Sequence, residues 1–235
     1  MEAYCSMQKL MGRFLLMTVL TLGCAGAVAQ TTAAVSVYGA FSGATDSNGT
    51  IQSPSNAAGA MVELRHIQNP LIGYEATYSW NRANQAYNAT TQVVCGVCAA
   101  TTTWTSVPSN AHEVTGDWVV SLRVLNLRPF ALAGGGMLLN VPSSGSATTT
   151  TNTTSCGTAP GCTTGYSTTT TATRSETKGV LVYGAGLDWG VLPHLGLRFQ
   201  YRGNLYKAPD LSRVYTSTDK FTHTAEPMIG AYFRF

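Results

Sequence analysis

The sequence predicts an all-β chain: an eight-stranded, antiparallel, up-and-down transmembrane β-barrel with long extracellular loops. Three observations predict it. Charged residues make up 11% of the 235 positions, against roughly a quarter in ordinary soluble domains, and Gly, Thr, Ser, Asn and Ala take their place. Apolar and polar residues alternate with period two in one segment after another, which is how a strand separates two different environments. Long polar connections alternate with tight ones, as in barrels whose long loops face outward and whose short turns face the periplasm. The composition excludes a coiled coil, a charged disordered tail and a polytopic helical membrane protein. A formal charge of +3 is too small and too scattered for a nucleic-acid partner.

The first element is a signal for export. Lys9 and Arg13 precede an apolar run from Phe14 that closes on Ala27-Val28-Ala29. A basic start, an apolar middle and an A-x-A site define a secretory signal peptide, here residues 1–29. The run is shorter than the roughly 20 residues a spanning helix needs. A lipoprotein-type box at Leu20-Thr21-Leu22-Gly23-Cys24 is opposed by Thr21, where an aliphatic side chain is usual. The barrel domain is then residues 30–235.

Eight strands are predicted, near 33–42, 59–68, 71–81, 112–123, 128–141, 177–189, 195–206 and 222–235. The clearest runs from Leu195 to Tyr206. Leu195, Leu197, Phe199, Tyr201 and Leu205 share one face, and Arg198, Gln200, Arg202 and Asn204 share the other. Tyr74, Tyr78 and Trp80 alternate with Gly73, Glu75, Thr77 and Ser79. Val114, Trp118, Val120 and Leu122 alternate with Glu113, Asp117 and Arg123. Leu181, Tyr183, Leu187 and Trp189 alternate with Val180, Val182 and Asp188. The tight links are Gln68-Asn69-Pro70, Val124 to Leu127 and Gly190 to His194. The long ones fall near 43–58, 82–111, 142–176 and 207–221.

In a bilayer every backbone polar group must be satisfied within the protein, so only a helix or a closed sheet can span. Polar atoms on every strand leave the barrel. An Arg facing lipid at mid-bilayer costs roughly 2–4 kcal/mol, so the charged face must turn inward. That face carries Glu63, Arg65, Glu75, Glu113, Asp117, Arg123, Asp188, Arg198, Arg202 and Arg234. Mixed signs in a narrow lumen are expected to pair and block bulk flow. The competing arrangement is a soluble barrel with these charges outside. Against it, Tyr74, Trp80, Trp118, Trp189, Phe233 and Phe235 lie on the apolar face, several near strand ends, where aromatic girdles form.

Export leaves four of the six cysteines in the mature chain: Cys95, Cys98, Cys156 and Cys162. An even number in an exported protein argues for disulfides. Four cysteines allow three connectivities; proximity favours Cys95–Cys98 and Cys156–Cys162. The C-x-x-C at Cys95 stands in a Thr- and Ala-rich loop without the context of a redox or zinc motif. From Pro142 to Thr173 there are 14 Thr and no Asp, Glu, Lys or Arg. Such a segment buries no core, yet β-branched Thr favours extended structure. It is expected to form a β-rich hairpin above the membrane, available to an external surface ligand or serving as a shield.

The chain ends in Met228-Ile229-Gly230-Ala231-Tyr232-Phe233-Arg234-Phe235. These residues resemble the C-terminal signal by which bacterial outer-membrane barrels are recognised, with Gly230, Phe233 and Phe235 at its hallmark positions. Met228 stands where that signal is usually polar. Asn69-Pro70…Gly73-Tyr74-Glu75, Leu127-Arg128-Pro129-Phe130…Gly134-Gly135-Gly136 and Gly186-Leu187-Asp188-Trp189…Leu197-Arg198 also resemble small OmpA-like or OmpW-like barrel domains. The likeness covers the mature chain. It implies the outer membrane as location, outer-membrane lipid and lipopolysaccharide as surroundings, and the barrel assembly machinery as a partner through the last strand. It does not imply an activity, because the fold hosts many roles. OmpA-type chains carry a peptidoglycan-binding domain after the barrel; here the sequence stops at the last strand, so tethering by such a domain is not expected.

The histidines that could serve enzymatic chemistry are His66, His112, His194 and His223. Lipid A deacylases of this architecture pair a His with a Ser two residues on, and neither His223 (then Thr224, Ala225) nor His112 (then Glu113, Val114) fits. Gly184-Ala185-Gly186 lacks the third glycine of a dinucleotide loop. No enzyme, metal or cofactor is expected. The expected role is structural or surface-interacting, with a small channel for small or apolar solutes as the alternative and a lipid-modifying enzyme behind both.

Overall fold

Period-two alternation becomes a closed wall when each strand finds a partner on both sides. The computed structural model describes residues 30–69, 71–93, 99–156 and 161–235. The expected signal peptide, Cys95 and Cys98 lie outside the described residues. The strands are β1 (Gln30–Ser42), β2 (Thr45–Ser47), β3 (Thr50–Pro54), β4 (Ala57–Ile67), β5 (Ile72–Val93) and β6 (Ala99–Ser121). They continue as β7 (Leu127–Pro142), β8 (Ser146–Cys156), β9 (Cys162–Ala172), β10 (Glu176–Gly190), β11 (Leu195–Lys207) and β12 (Phe221–Arg234).

Eight of them form the barrel: β1, β4, β5, β6, β7, β10, β11 and β12 pair antiparallel in sequence order. The first and last close it, with Thr32 opposite Arg234 through to Ser42 opposite Thr224. Closure satisfies the backbone of every wall strand and leaves no edge at membrane depth. The eight predicted strands all appear.

The wall has an apolar outside. Val35 is 61% exposed, Val62 54%, Trp118 67% and Leu181 62%, while Thr32, Ser36, Glu63, Arg65, Asp117 and Arg198 turn inward and are buried. The inside is not uniformly polar, however. Phe130, Leu132 and Leu138 of β7 and Val180 and Val182 of β10 also point inward, forming a buried cluster with Ile67, Val119 and Tyr206. A small lumen must be filled by side chains, and here a hydrocarbon cluster centred on β7 and β10 shares it with charged groups from β4, β5, β6, β10 and β11. The two meet where the Arg65 guanidinium lies 3.9 Å from the Phe130 ring centroid, a favourable cation–π distance.

The Gly134-Gly136 stretch explains how β7 fits. A Cβ on Gly136 would lie 1.9 Å from the Val114 carbonyl oxygen, and one on Gly134 2.2 Å from that of Gly116. The backbones of β6 and β7 therefore approach closer than any side chain allows.

The outer connections are more ordered than the sequence reading of loops suggests. Residues 82–93 and 99–111 are strand and not loop: β5 and β6 stay paired from Ile72 opposite Val120 to Val93 opposite Ala99. The Thr-rich segment forms the expected hairpin, β8 with β9, which joins the sheet through β6. Cys156 and Cys162 are disulfide-bonded at its tip. Thr149, Thr105 and Thr171 exchange side-chain hydrogen bonds across three strands, and cross-strand Thr pairs of this kind add a few tenths of a kcal/mol each.

The segment between β11 and β12 differs most from expectation. Rather than reaching outward it folds over the mouth, burying Ala208, Leu211, Ser212 and Tyr215. Tyr87 holds it from two sides, donating to the Pro209 carbonyl at 2.8 Å and accepting from the Leu211 amide at 2.9 Å. The Tyr215 ring stacks on Tyr87 with centroids 5.5 Å apart. This lid closes the end of the barrel opposite the tight turns.

Candidate functional site

Register places the charges. Arg65 stands opposite Glu75, and Glu75 opposite Asp117, across β4, β5 and β6. Across the other wall Arg128 and Arg198 flank Asp188, and Arg202 faces Glu226. Every one of these positions has the inward parity of its strand, so closing the barrel drives the groups together.

Three arginines then tie the lumen shut. Arg198 Nη1 donates to Glu63 at 2.6 Å, its Nε to Asp188 at 2.7 Å and its Nη2 to the other Asp188 oxygen at 3.0 Å. Arg65 donates to Glu75 at 2.6 Å and to Asp188 at 3.2 Å. Arg202 reaches Glu113 at 3.3 Å, Thr77 at 3.2 Å and Thr115 at 2.5 Å, and lies 3.4 Å from Asp117. Asn204 donates to Glu113 at 3.0 Å and Ser36 to Glu63 at 2.7 Å. All three guanidinium groups are fully buried. Arginine suits this because its planar fork binds two carboxylates at once and keeps its charge when buried.

Arg123 and Arg234 stand apart from this cluster. Arg123 is exposed on the turn after β6 and is not in the lumen. It keeps the inward parity of its strand, but the strand ends at Ser121, so the wall that would enclose it is missing. Arg234 points inward at the same end of the barrel, and its contact is the Tyr232 hydroxyl at 3.5 Å rather than a carboxylate. Sequence reasoning missed Glu226, which is 2% exposed. It shares parity with Met228, Gly230, Tyr232 and Arg234, so carrying the inward parity of Arg234 back along the predicted strand 222–235 would have found it.

The lumen is divided into levels. Between the lid and the ion network lies a cavity of about 30 Å³ bordered by Ser79, Asn81, Glu113, Asn204 and Glu226, room for about one ordered water. On the far side, at the mouth flanked by the tight turns, a larger cavity of about 310 Å³ opens below Asp188. The network and the lid together separate the two ends.

The histidines sit on the wall and rim. His66 hydrogen-bonds the Thr31 hydroxyl at 2.9 Å, His112 the Tyr78 hydroxyl at 2.9 Å, and His223 the Tyr183 hydroxyl at 2.8 Å. His194 donates to the Arg234 carbonyl at 3.0 Å. None lies beside a serine in a nucleophile–base pair, and no set of three or more His, Cys, Asp or Glu is grouped for a metal ion among the described residues. Gly230, Phe233 and Phe235 lie at the end of β12, with Phe233 and Phe235 outward and their rings 5.1 Å apart, edge to face.

The lid holds a buried carboxyl, Asp210, beyond the barrel wall. Burial pushes the Asp210 carboxyl above the ordinary carboxylate range, Arg174 opposes that shift, and Glu176 adds to it. Asp210 pairs with Arg174, and its amide donates to Glu176 at 2.5 Å. A raised folded-state value means the folded lid binds the proton more tightly. Its contribution to stability is complete below the unfolded value of about 3.9 and is lost as pH rises through the folded value. We expect the Leu211 amide to be more protected from hydrogen exchange at pH 4 than at pH 7, after correction for intrinsic rates. Asp210→Asn should remove the difference; an unchanged difference in that variant would assign it elsewhere.

No protein-family model and no curated protein sequence matches this chain. Among solved structures it is similar to Ail, the attachment invasion locus protein of Yersinia pestis, solved with the heparin analogue sucrose octasulfate. Identity is 16%, covering 88% of this chain and 99% of that one, with a TM-score of 0.43. Neisserial surface protein A matches at 11% identity over 89% and 99%, TM-score 0.41. The outer membrane protein OprG of Pseudomonas aeruginosa matches at 9% identity over 89% and 98%, TM-score 0.47. The outer membrane protease OmpT of Escherichia coli matches at 10% identity over 88% and 97%, TM-score 0.34. From its own closed backbone ladder, outward apolar belt and charged interior, the chain is a small, closed, eight-stranded antiparallel β-barrel.

Proposed function

We propose that this protein is a plugged outer-membrane barrel whose role is structural or surface-interacting rather than conductive or enzymatic. The observation that carries the reading is the fully buried Arg65–Arg198–Arg202 network, which links β4, β5, β6, β10 and β11 across the lumen. An ion moving through would have to part charge pairs that have no water to replace their partners. The lid adds a second barrier at the outer mouth.

The working surface on this reading is the sheet raised above the membrane by β5, β6, β8 and β9. It is rich in Thr and poor in charge, and it displays Tyr166 at 71% exposure and Trp104 at 39%. Aromatic side chains among small hydroxyls give contact area at low entropic cost, which suits an external surface ligand. Export by the N-terminal segment, assembly through β12 and contact of the belt with outer-membrane lipid and lipopolysaccharide complete the proposal.

The test is electrical. Purified protein inserted in planar bilayers should show no steady open-channel current, and deleting residues 146–172 should leave the barrel folded and still silent. Sustained currents from the wild-type protein would favour the alternative of a small channel, whose entrance would be the larger of the two cavities.

A further inference from the structure

The cavity at the mouth flanked by the tight turns has a lining whose charge does not balance. Arg123, Arg128 and Arg234 border it together with one acid, Asp188. That acid is taken: Oδ1 receives Arg198 Nε, and Oδ2 receives Arg198 Nη2 and Arg65 Nη1. Among the described residues none of the three bordering arginines forms an ion pair, and Arg234 Nε is buried without a hydrogen-bond partner. Three arginines thus border one space of about 310 Å³, and among the described residues no carboxylate pairs with any of them.

We infer that this cavity is a binding site for a phosphate group on the periplasmic side of the barrel. Guanidinium forks match phosphate oxygens in pairs, and three bordering arginines whose one neighbouring acid is already held by Arg198 and Arg65 suit a phosphate dianion. The floor is closed by the Arg65 and Arg198 network, so the site holds its ligand instead of passing it. The rim is apolar: Leu125 is 87% exposed, Leu192 59% and Val191 53%. Such a rim suits a phosphate attached to an apolar body. The phosphate has two possible sources, a lipid head group of the periplasmic leaflet or a free phosphate ester.

The probes are inorganic phosphate and a short-chain phosphatidate, each titrated into full-length protein folded in phosphorus-free maltoside micelles at low salt and followed by 31P line broadening. Saturable binding is expected, weakened at least tenfold by Arg128→Gln and by Arg123→Gln. Arg123→Gln lies on an exposed turn, so its folding is not at risk, and Arg128→Gln is checked by heat modifiability on a gel. Arg213→Gln, exposed in the lid on the opposite side of the membrane, should bind as wild type does. Phosphatidate tighter than phosphate by tenfold or more assigns the lipid as source; equal affinities assign the free ester. No saturable binding of either probe, or binding that both pocket variants retain in full, overturns the proposal. These outcomes are independent of whether the barrel conducts.

Discussion

Replacing Arg198 with Met is expected to destabilise the folded barrel by about 3–5 kcal/mol, the range for removing one partner of a buried ion pair. The cost comes from what is left behind. Glu63 loses its guanidinium partner and keeps only the Ser36 hydroxyl, while Asp188 loses two of its three donors. Glu63 has no water to turn to, because it is buried, whereas Asp188 borders the cavity at the turn-flanked mouth. Arg198→Lys should recover only part of the loss, since a point charge cannot span Glu63 and Asp188 as the fork does. The double variant Arg198→Met/Glu63→Gln should be more stable than Arg198→Met alone, because it removes one of the orphaned charges. Urea unfolding in phospholipid vesicles, followed by tryptophan fluorescence, measures all three. A change below about 1 kcal/mol for Arg198→Met would match an exposed pair and would mean that water reaches the network.

Much of this arrangement is written in local pattern. A strand reveals its two faces because the side-chain period is two, so Arg65, Glu75, Asp117 and Arg198 were identifiable as one set before any partner strand was known. Their pairing was not, since which arginine meets which carboxylate depends on register between strands far apart in sequence: Arg198 and Glu63 are 135 residues apart. Arg123 shows the limit of parity alone, because alternation continues two residues past the wall, which ends at Ser121, and says nothing of where the wall stops. The inward Phe130 and Leu132 were hidden for another reason. A strand packed against apolar neighbours on one face and lipid on the other carries hydrocarbon on both, and alternation vanishes. The lid escaped because it has no period at all. Its position depends on partners far away in sequence, among them Gln52 and Tyr87, which both donate to the Pro209 carbonyl from 157 and 122 residues before it.

Val35→Arg is the sharpest test of which side of the wall meets lipid. Val35 lies on β1, five residues from its start at Gln30, and faces outward at 61% exposure. At roughly 3.3 Å per residue on a tilted strand, it falls near the middle of an apolar band about 25 Å tall. Its neighbours across the ladder are Val62 and Ala231, so no acid is at hand to receive the new charge. In a bilayer the substitution should cost about 2–4 kcal/mol. In a water-soluble barrel the same exposed position would tolerate Arg within roughly 0.5 kcal/mol. Thr103→Arg makes the internal comparison, because Thr103 lies on the part of β6 raised above the membrane, opposite Ala89 and Thr151, where water solvates the guanidinium. The two variants, unfolded side by side in vesicles, should differ by most of the lipid penalty. Equal stabilities would place both positions in water and turn the apolar belt into an ordinary protein surface. A large difference confined to Val35 ties the outward hydrocarbon to the bilayer, and with it the need for Arg65, Arg198 and Arg202 to find their counter-charges inside.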